Sequence, residues 1–101
     1  MNFYKTDKWK KKRATVLRRD KYLCRECVRY GKSTAAKVVH HTFPLEFYPE
    51  HKLNSDTLIS LCGSCHERMH IKGTHELTAE GIRWMEKTRT MISPPPSNIR
   101  V

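Results

Sequence analysis

Acidic side chains are scarce in this chain: 10 Asp and Glu stand against 20 Lys and Arg in 101 residues, for a formal charge of +10 with the histidines neutral. No ordinary fold needs that imbalance. It argues for a polyanionic partner, because Lys and Arg that neutralise phosphates release condensed counterions. Apolar runs are missing too. The opening MNFYKTDKWKKKR lacks the roughly 7–15-residue apolar segment of a secretory signal, and no stretch approaches the ~18 apolar residues of a membrane span. The expected location is therefore the cytoplasm, with no membrane partner, since no apolar face accompanies the charge as lipid-bound helices require. There is no internal repeat, and 101 residues hold one domain with no room for a second.

A chain this short buries only roughly 60–65% of its extended surface, so its core needs a staple. Four cysteines and six histidines are available for one. In a reducing compartment, paired cysteines hold metal more readily than they form disulfides.

Residues 1 to 23 carry nine basic residues and two acids, with Trp9, Val16 and Leu17 on one side of a helical wheel. The pattern predicts an amphipathic helix starting near Asp7 as N-cap and ending before Cys24. Lys8, Lys10, Lys11, Lys12, Arg13, Arg18 and Arg19 surround its apolar stripe as a surface for a nucleic-acid backbone. Cys24 to Lys37 reads as loop. Ala36 to His41 and Thr57 to Leu61 read as short antiparallel strands, joined by a long loop bearing Pro44, Pro49 and Asn54. A helix is expected over Ser64 to His70, capped by Ser64 and ended by Gly73. A last helix starts at Thr78 as N-cap, with Leu77 and Ile82 as a staple and Gly81 a mild cost, and runs through Trp84, Met85 and Arg89 to Ile92. The following SPPPS cannot extend it.

Two constellations carry chemistry. Cys24-Arg-Glu-Cys27 and Cys62-Gly-Ser-Cys65 are both C-x-x-C, and two such knuckles close a tetrahedral thiolate site for one structural Zn²⁺. A hairpin and loop fill the interval between them. His40 and His41 end the first strand, and His66 and His70 are four apart on the expected helix. Positions i and i+4 share a helix face, so both imidazoles can meet His40 at one ion. Adjacent strand residues point opposite ways, which frees His41 to act as a base. His66 to His70 also spells H-E-x-x-H, the zinc-protease helix with Glu67 as base. The reading fails on context: the motif follows directly on Cys65, the chain leaves little for a peptide cleft, and the charge suits phosphate better.

With VVHH at 38 to 41, TLISLC at 57 to 62 and CGSCHERMH at 62 to 70, the sequence resembles an HNH endonuclease of the ββα-metal type, in the four-cysteine zinc subgroup. The resemblance covers about residues 22 to 71. It implies an α+β fold, a small ββα-metal domain over 1–93 with flanking N- and C-terminal helices and an extended or disordered tail at 94–101. It also implies metal-dependent hydrolysis of DNA, leaving 5′-phosphate and 3′-hydroxyl ends. By position, His41 would be the general base, and His40, His66 and His70 would hold the catalytic divalent ion, Mg²⁺, Mn²⁺, Ni²⁺ or Zn²⁺. Cys24, Cys27, Cys62 and Cys65 would hold zinc. The helical N-terminus and the length are similar to small phage HNH proteins encoded beside packaging genes, so terminase or packaging proteins are implied partners besides DNA.

One position departs from the family pattern. The middle Asn usually stands five residues before the cysteine matching Cys62, and here that residue is Thr57. Thr57 brings a hydroxyl without a carboxamide to the task of holding the loop that carries the base. Asn54 could take that part only in a rearranged loop. Should neither serve, the alternative is a non-catalytic, zinc-stapled DNA-binding or packaging accessory module.

Overall fold

Thr6 opens the first helix. Its hydroxyl accepts the Trp9 N–H at 3.2 Å and donates to the Phe3 carbonyl at 2.7 Å, so the cap lies one residue before the expected Asp7. The computed structural model describes residues 2 to 92; the expected tail at 94–101 and the whole proline run lie outside them. Helix α1 spans Asp7–Arg19 and buries Trp9, Val16 and Leu17, the stripe read from the sequence. It ends at Arg19, before Cys24 as expected. Lys21 and Tyr22 adopt φ of 58° and 61°, a left-handed geometry that costs non-glycine residues roughly 1–2 kcal/mol each. The Tyr22 N–H closing back on the Leu17 carbonyl at 2.8 Å offsets part of that cost.

The expected loop after Cys24 contains a short helix, α2 (Arg25–Arg29), because the first C-x-x-C knuckle winds into a helical turn with the Cys24 sulfur accepting the Cys27 N–H. Strands β1 (Val38–His41) and β2 (Leu58–Leu61) then pair antiparallel, Val38 opposite Leu61 and His41 opposite Leu58. An isolated two-stranded ladder is marginal in water; this one is covered on both faces. Leu58 and Val39 pack with Trp9, Val16 and Leu17, whereas Ile59 and Leu61 pack with the cysteines, Met69 and Trp84.

Helix α3 is shorter than expected, Gly63–Glu67, with Cys62 rather than Ser64 at its cap position. Three-residue bonds from Arg68 and Met69 to the carbonyls of Cys65 and His66 tighten its end. The chain then turns back so that His70 bridges Leu77. Gly73, expected to end the helix, instead supplies the left-handed turn of this excursion at φ 81°. Helix α4 (Ala79–Ile92) begins as expected, the Thr78 hydroxyl accepting the Gly81 N–H at 3.2 Å and donating to the Arg68 carbonyl. Ile82 stays 45% exposed, so the expected staple buries little. Gly81 is a requirement rather than a mild cost: a Cβ there would collide with the Met69 carbonyl and the Leu77 side chain.

Two carboxylates lock the helices. Glu26, 1% exposed, accepts from the Trp84 indole at 2.8 Å, Arg29 at 2.9 Å and Arg83 at 3.1 Å, tying α2 to α4. Asp20 accepts two bonds from Arg19 and the Ser60 N–H at 3.1 Å, and the same guanidinium donates to the Leu58 carbonyl at 2.7 Å, clamping the end of α1 to β2.

Burial alone would raise the Asp20 carboxyl, but the Arg19 hydrogen bond, the Ser60 N–H and the Arg19 charge outweigh it and hold the group below its ordinary value. A depressed folded-state pKa stabilises above the ordinary aspartate range, and that stability is lost as pH falls through the folded value. Asp20→Asn is expected to cost about 1–2 kcal/mol in urea unfolding at pH 7 and to flatten the loss of stability below about pH 4. Equal acid limbs for the two proteins would show that the clamp contributes nothing there.

Candidate metal centres and cleft

The two knuckles meet. Cys24 caps α2 and Cys27 lies in it, Cys62 follows β2, and Cys65 lies in α3, with their four sulfurs all within 4.8 Å of one another. Cys27 stands 4.0 Å from Cys62 and 3.8 Å from Cys65. The edge of a tetrahedron with Zn–S bonds of about 2.3 Å is about 3.8 Å, so the spacing fits that ion, and it is far beyond a disulfide bond. The Cys65 N–H draws the Cys62 thiol down to about 7, whereas burial pushes Cys24 and Cys65 up. Four thiols packed this closely need a cation before all can ionise. Arg68 adds a donor 3.1 Å from the Cys65 sulfur.

The alternation of β1 turns His40 toward α3 and His41 toward α1. His40 is 2% exposed, and its Nε2 has no hydrogen-bond partner. Its ring lies 5.3 Å from that of His66 and 5.4 Å from that of His70, and one nitrogen from each of the three falls within 4.8 Å of the others. His70 does not share a helix with His66, since α3 stops at Glu67; the bridge to Leu77 returns it to the cluster. The His75 carbonyl, 3.2 Å from His70 Nδ1, takes that proton and leaves Nε2 free to bind an ion. Burial, then the neighbouring His66 and His70, hold His40 well below its ordinary pKa, in the neutral form that ligates. An orphaned buried nitrogen beside two further imidazoles is the donor set a divalent ion fits. Glu67 is exposed and stands outside this cluster, in keeping with the rejection of the protease motif.

His41 is held differently. Its Nε2 lies 3.0 Å from the Lys52 carbonyl, which fixes the proton there and leaves the Nδ1 lone pair free. Trp9 stacks on the ring at 5.1 Å and 20°, with Phe3 and Tyr4 each at 6.1 Å. Burial lowers its pKa, against the opposing effects of the Lys52 carbonyl and Glu46. His40, His41, His66 and His70 all line one open cleft of about 530 Å³, whose wall includes Arg13 and Lys37.

Thr57 forms no hydrogen bond with His41. Fully buried, it donates its hydroxyl toward the carbonyls of Asn54 at 3.0 Å and His51 at 3.3 Å, and its own carbonyl accepts the N–H and hydroxyl of Thr42. It thus fastens both ends of the loop whose Lys52 carbonyl holds His41. Asn54 is spent elsewhere, its side chain accepting the Asp56 N–H at 3.0 Å. Three of the basic residues expected to face a nucleic acid serve the fold as well: Lys12 bonds Ser55, Arg13 the Lys37 carbonyl, and Arg19 the β2 backbone. The stacking of Trp9 on His41 and the carbonyls of Lys52 and His75 were missed by sequence reasoning. Backbone roles carry no residue signature, and Trp9 reads as plain core from its helical position.

Among the described residues no helix is long and apolar enough to cross a membrane. No family model and no curated protein matches the chain. A solved structure does: the HNH endonuclease of the deep-sea thermophilic bacteriophage GVE2, crystallised with manganese ion, superposes with a TM-score of 0.64 and 41% sequence identity, over 65% of this chain and 72% of that one. A fold can be shared at far lower identity, so agreement at this level across most of that protein is evidence of common descent: this chain belongs to the HNH endonuclease family.

Proposed function

We propose that the protein hydrolyses DNA phosphodiester bonds in the cleft at the end of β1. The observation that carries the reading is His40 Nε2, buried without a partner and facing His66 and His70. These three would hold a divalent ion, which supplies Lewis acidity to the phosphate oxygens when bound. Mn²⁺ is the first to test, given the manganese in the related phage enzyme; Mg²⁺, Ni²⁺ and Zn²⁺ also suit imidazole sites to varying degrees.

His41 acts as the general base. With its Nε2 proton committed to the Lys52 carbonyl, Nδ1 takes the proton of the attacking water, and stacking on Trp9 keeps the ring from turning. Arg13 and Lys37 give the cleft positive charge for the flanking phosphates. Thr57 is a positioning residue: it secures the loop that orients His41, the task the family assigns to Asn, so its presence does not favour the non-catalytic alternative. Cys24, Cys27, Cys62 and Cys65 hold one structural Zn²⁺. The kinship with a phage enzyme supports a phage-encoded nuclease working in the host cytoplasm, and the small basic architecture suits an accessory to terminase during DNA packaging.

Supercoiled plasmid incubated with the protein and Mn²⁺ is expected to be nicked, and His41→Ala to reduce the rate by roughly 10²–10⁴-fold while still binding Mn²⁺. Undiminished cleavage by the variant would remove His41 as base; no cleavage by the wild type under any of the four metals would leave the binding module. His66→Ala should weaken Mn²⁺ binding in calorimetry yet retain one zinc per chain, whereas Cys62→Ser should release zinc and melt the domain. Full zinc and an unchanged melt in the latter would contradict the tetrad. Thr57→Val should lower kcat about tenfold at unchanged metal affinity and KM, with about 1 kcal/mol of stability lost; an unchanged kcat would confine Thr57 to the fold.

A further inference from the structure

A second basic depression lies away from the histidine cleft. The end of α1, α2 and α4 frame two adjoining hollows of about 440 and 400 Å³, which share Arg19, Asp20, Arg25, Trp84 and Lys87. Neither has a lining residue in common with the histidine cleft. Trp84, 2% exposed, forms part of the wall. The Arg25 guanidinium lies 5.2 Å from the centre of its ring and the Lys87 ammonium 4.9 Å. The indole N–H donates to the Glu26 carboxylate, which leaves the ring face electron-rich and suited to cations.

Two cations gathered on one ring repel each other, and the acids nearby do not pair with them. Neither Arg25 nor Lys87 forms an ion pair among the described residues. Asp20 is engaged by Arg19 and the Ser60 N–H, and Glu26 by Trp84, Arg29 and Arg83. Asp56 borders the second hollow without meeting either cation in an ion pair. Lys21 and Arg29 add positive charge to the rim of the first. Contact with the ring keeps both cations at the groove wall, where phosphates can reach them.

We propose that this groove is a second seat for the phosphate backbone of nucleic acid, with Arg25 and Lys87 each neutralising one phosphate outside the catalytic cleft. The choice of nucleic acid over another polyanion rests on the nuclease reading; the groove's affinity for anions does not. Because phosphate contact is indifferent to base sequence, the seat would add affinity and length dependence without specificity.

The test is fluorescence anisotropy of the zinc-loaded protein with a 30-base-pair duplex and no added divalent ion, so that cleavage plays no part. Arg25→Gln with Lys87→Gln is expected to weaken binding at least about tenfold at low salt and to reduce the slope of log K against log salt by about 1.8, at about 0.9 for each phosphate no longer neutralised. The charge-conserving pair Arg25→Lys with Lys87→Arg should retain both values, which separates loss of charge from loss of fold; equal zinc content and melting temperature confirm it. An unchanged affinity and slope in the glutamine variant would overturn the proposal. So would normal duplex binding combined with lost binding of polyglutamate, which would point to an acidic protein. Plasmid nicking by the wild type is measured separately, so failure of the catalytic reading and failure of this one are told apart.

Discussion

The side-chain alternation of a four-residue strand is the constraint on which the rest of this structure depends. His40 and His41 are neighbours in sequence, yet the period of two aims one at α3 and the other at α1. The two neighbours therefore sit in different surroundings at one cleft. His40 meets two imidazoles, and His41 meets Trp9 and a backbone carbonyl. A register slip of one residue in the β1–β2 ladder would exchange the two environments and leave neither role filled. The ladder is too short to hold that register alone. Leu58 and Val39 key one face into α1, Ile59 and Leu61 key the other into the cysteine cluster, and Arg19 binds the Leu58 carbonyl from α1.

The cysteine tetrad answers the problem of size. It joins a knuckle before the hairpin to a knuckle after it, so the β1–β2 unit and its long loop lie between the two knuckles, and zinc bound there would offset the entropy of closing that segment by coordination instead of by apolar area. Its sulfurs are part of the same apolar cluster as Met69 and Trp84. Trp84 in turn bonds Glu26, between Cys24 and Cys27. The last helix is thereby referenced to the same tetrad as the hairpin, and it passes that reference on to the loop through the Thr88–Thr42 hydroxyl pair at 2.7 Å.

Residues that act through their own side chains were legible in the sequence. The C-x-x-C pairs, the HH at a strand end, the later histidines and the Trp9–Val16–Leu17 stripe all declare themselves by type and spacing, and the structure brings each group together. His66 and His70 join the expected cluster by a different geometry. A spacing of four suggests one helix face, but the helix ends at Glu67 and a bridge to Leu77 delivers His70. What sequence could not show was tertiary use of the backbone: the Lys52 and His75 carbonyls that set the two histidine tautomers, and the Met69 carbonyl that forbids a side chain at Gly81. Any residue has a carbonyl, so such roles leave no compositional trace.

The excess of positive charge also divides in a way composition hides. Lys12, Arg13 and Arg19 look like solvated helix surface, yet each spends hydrogen bonds on the hairpin or its loop. Arg29 and Arg83 neutralise the buried Glu26. Charges paired with a carboxylate, as Arg19, Arg29 and Arg83 are, are compensated and contribute less to an external field, whereas a bond to a neutral hydroxyl or carbonyl, as for Lys12 and Arg13, leaves the charge in place. Arg25 and Lys87, beside the Trp84 ring and in no ion pair among the described residues, keep theirs. The field that an approaching polyanion meets is therefore set less by the number of basic residues than by which of them lack an internal partner, and those lie in more than one place on this small surface.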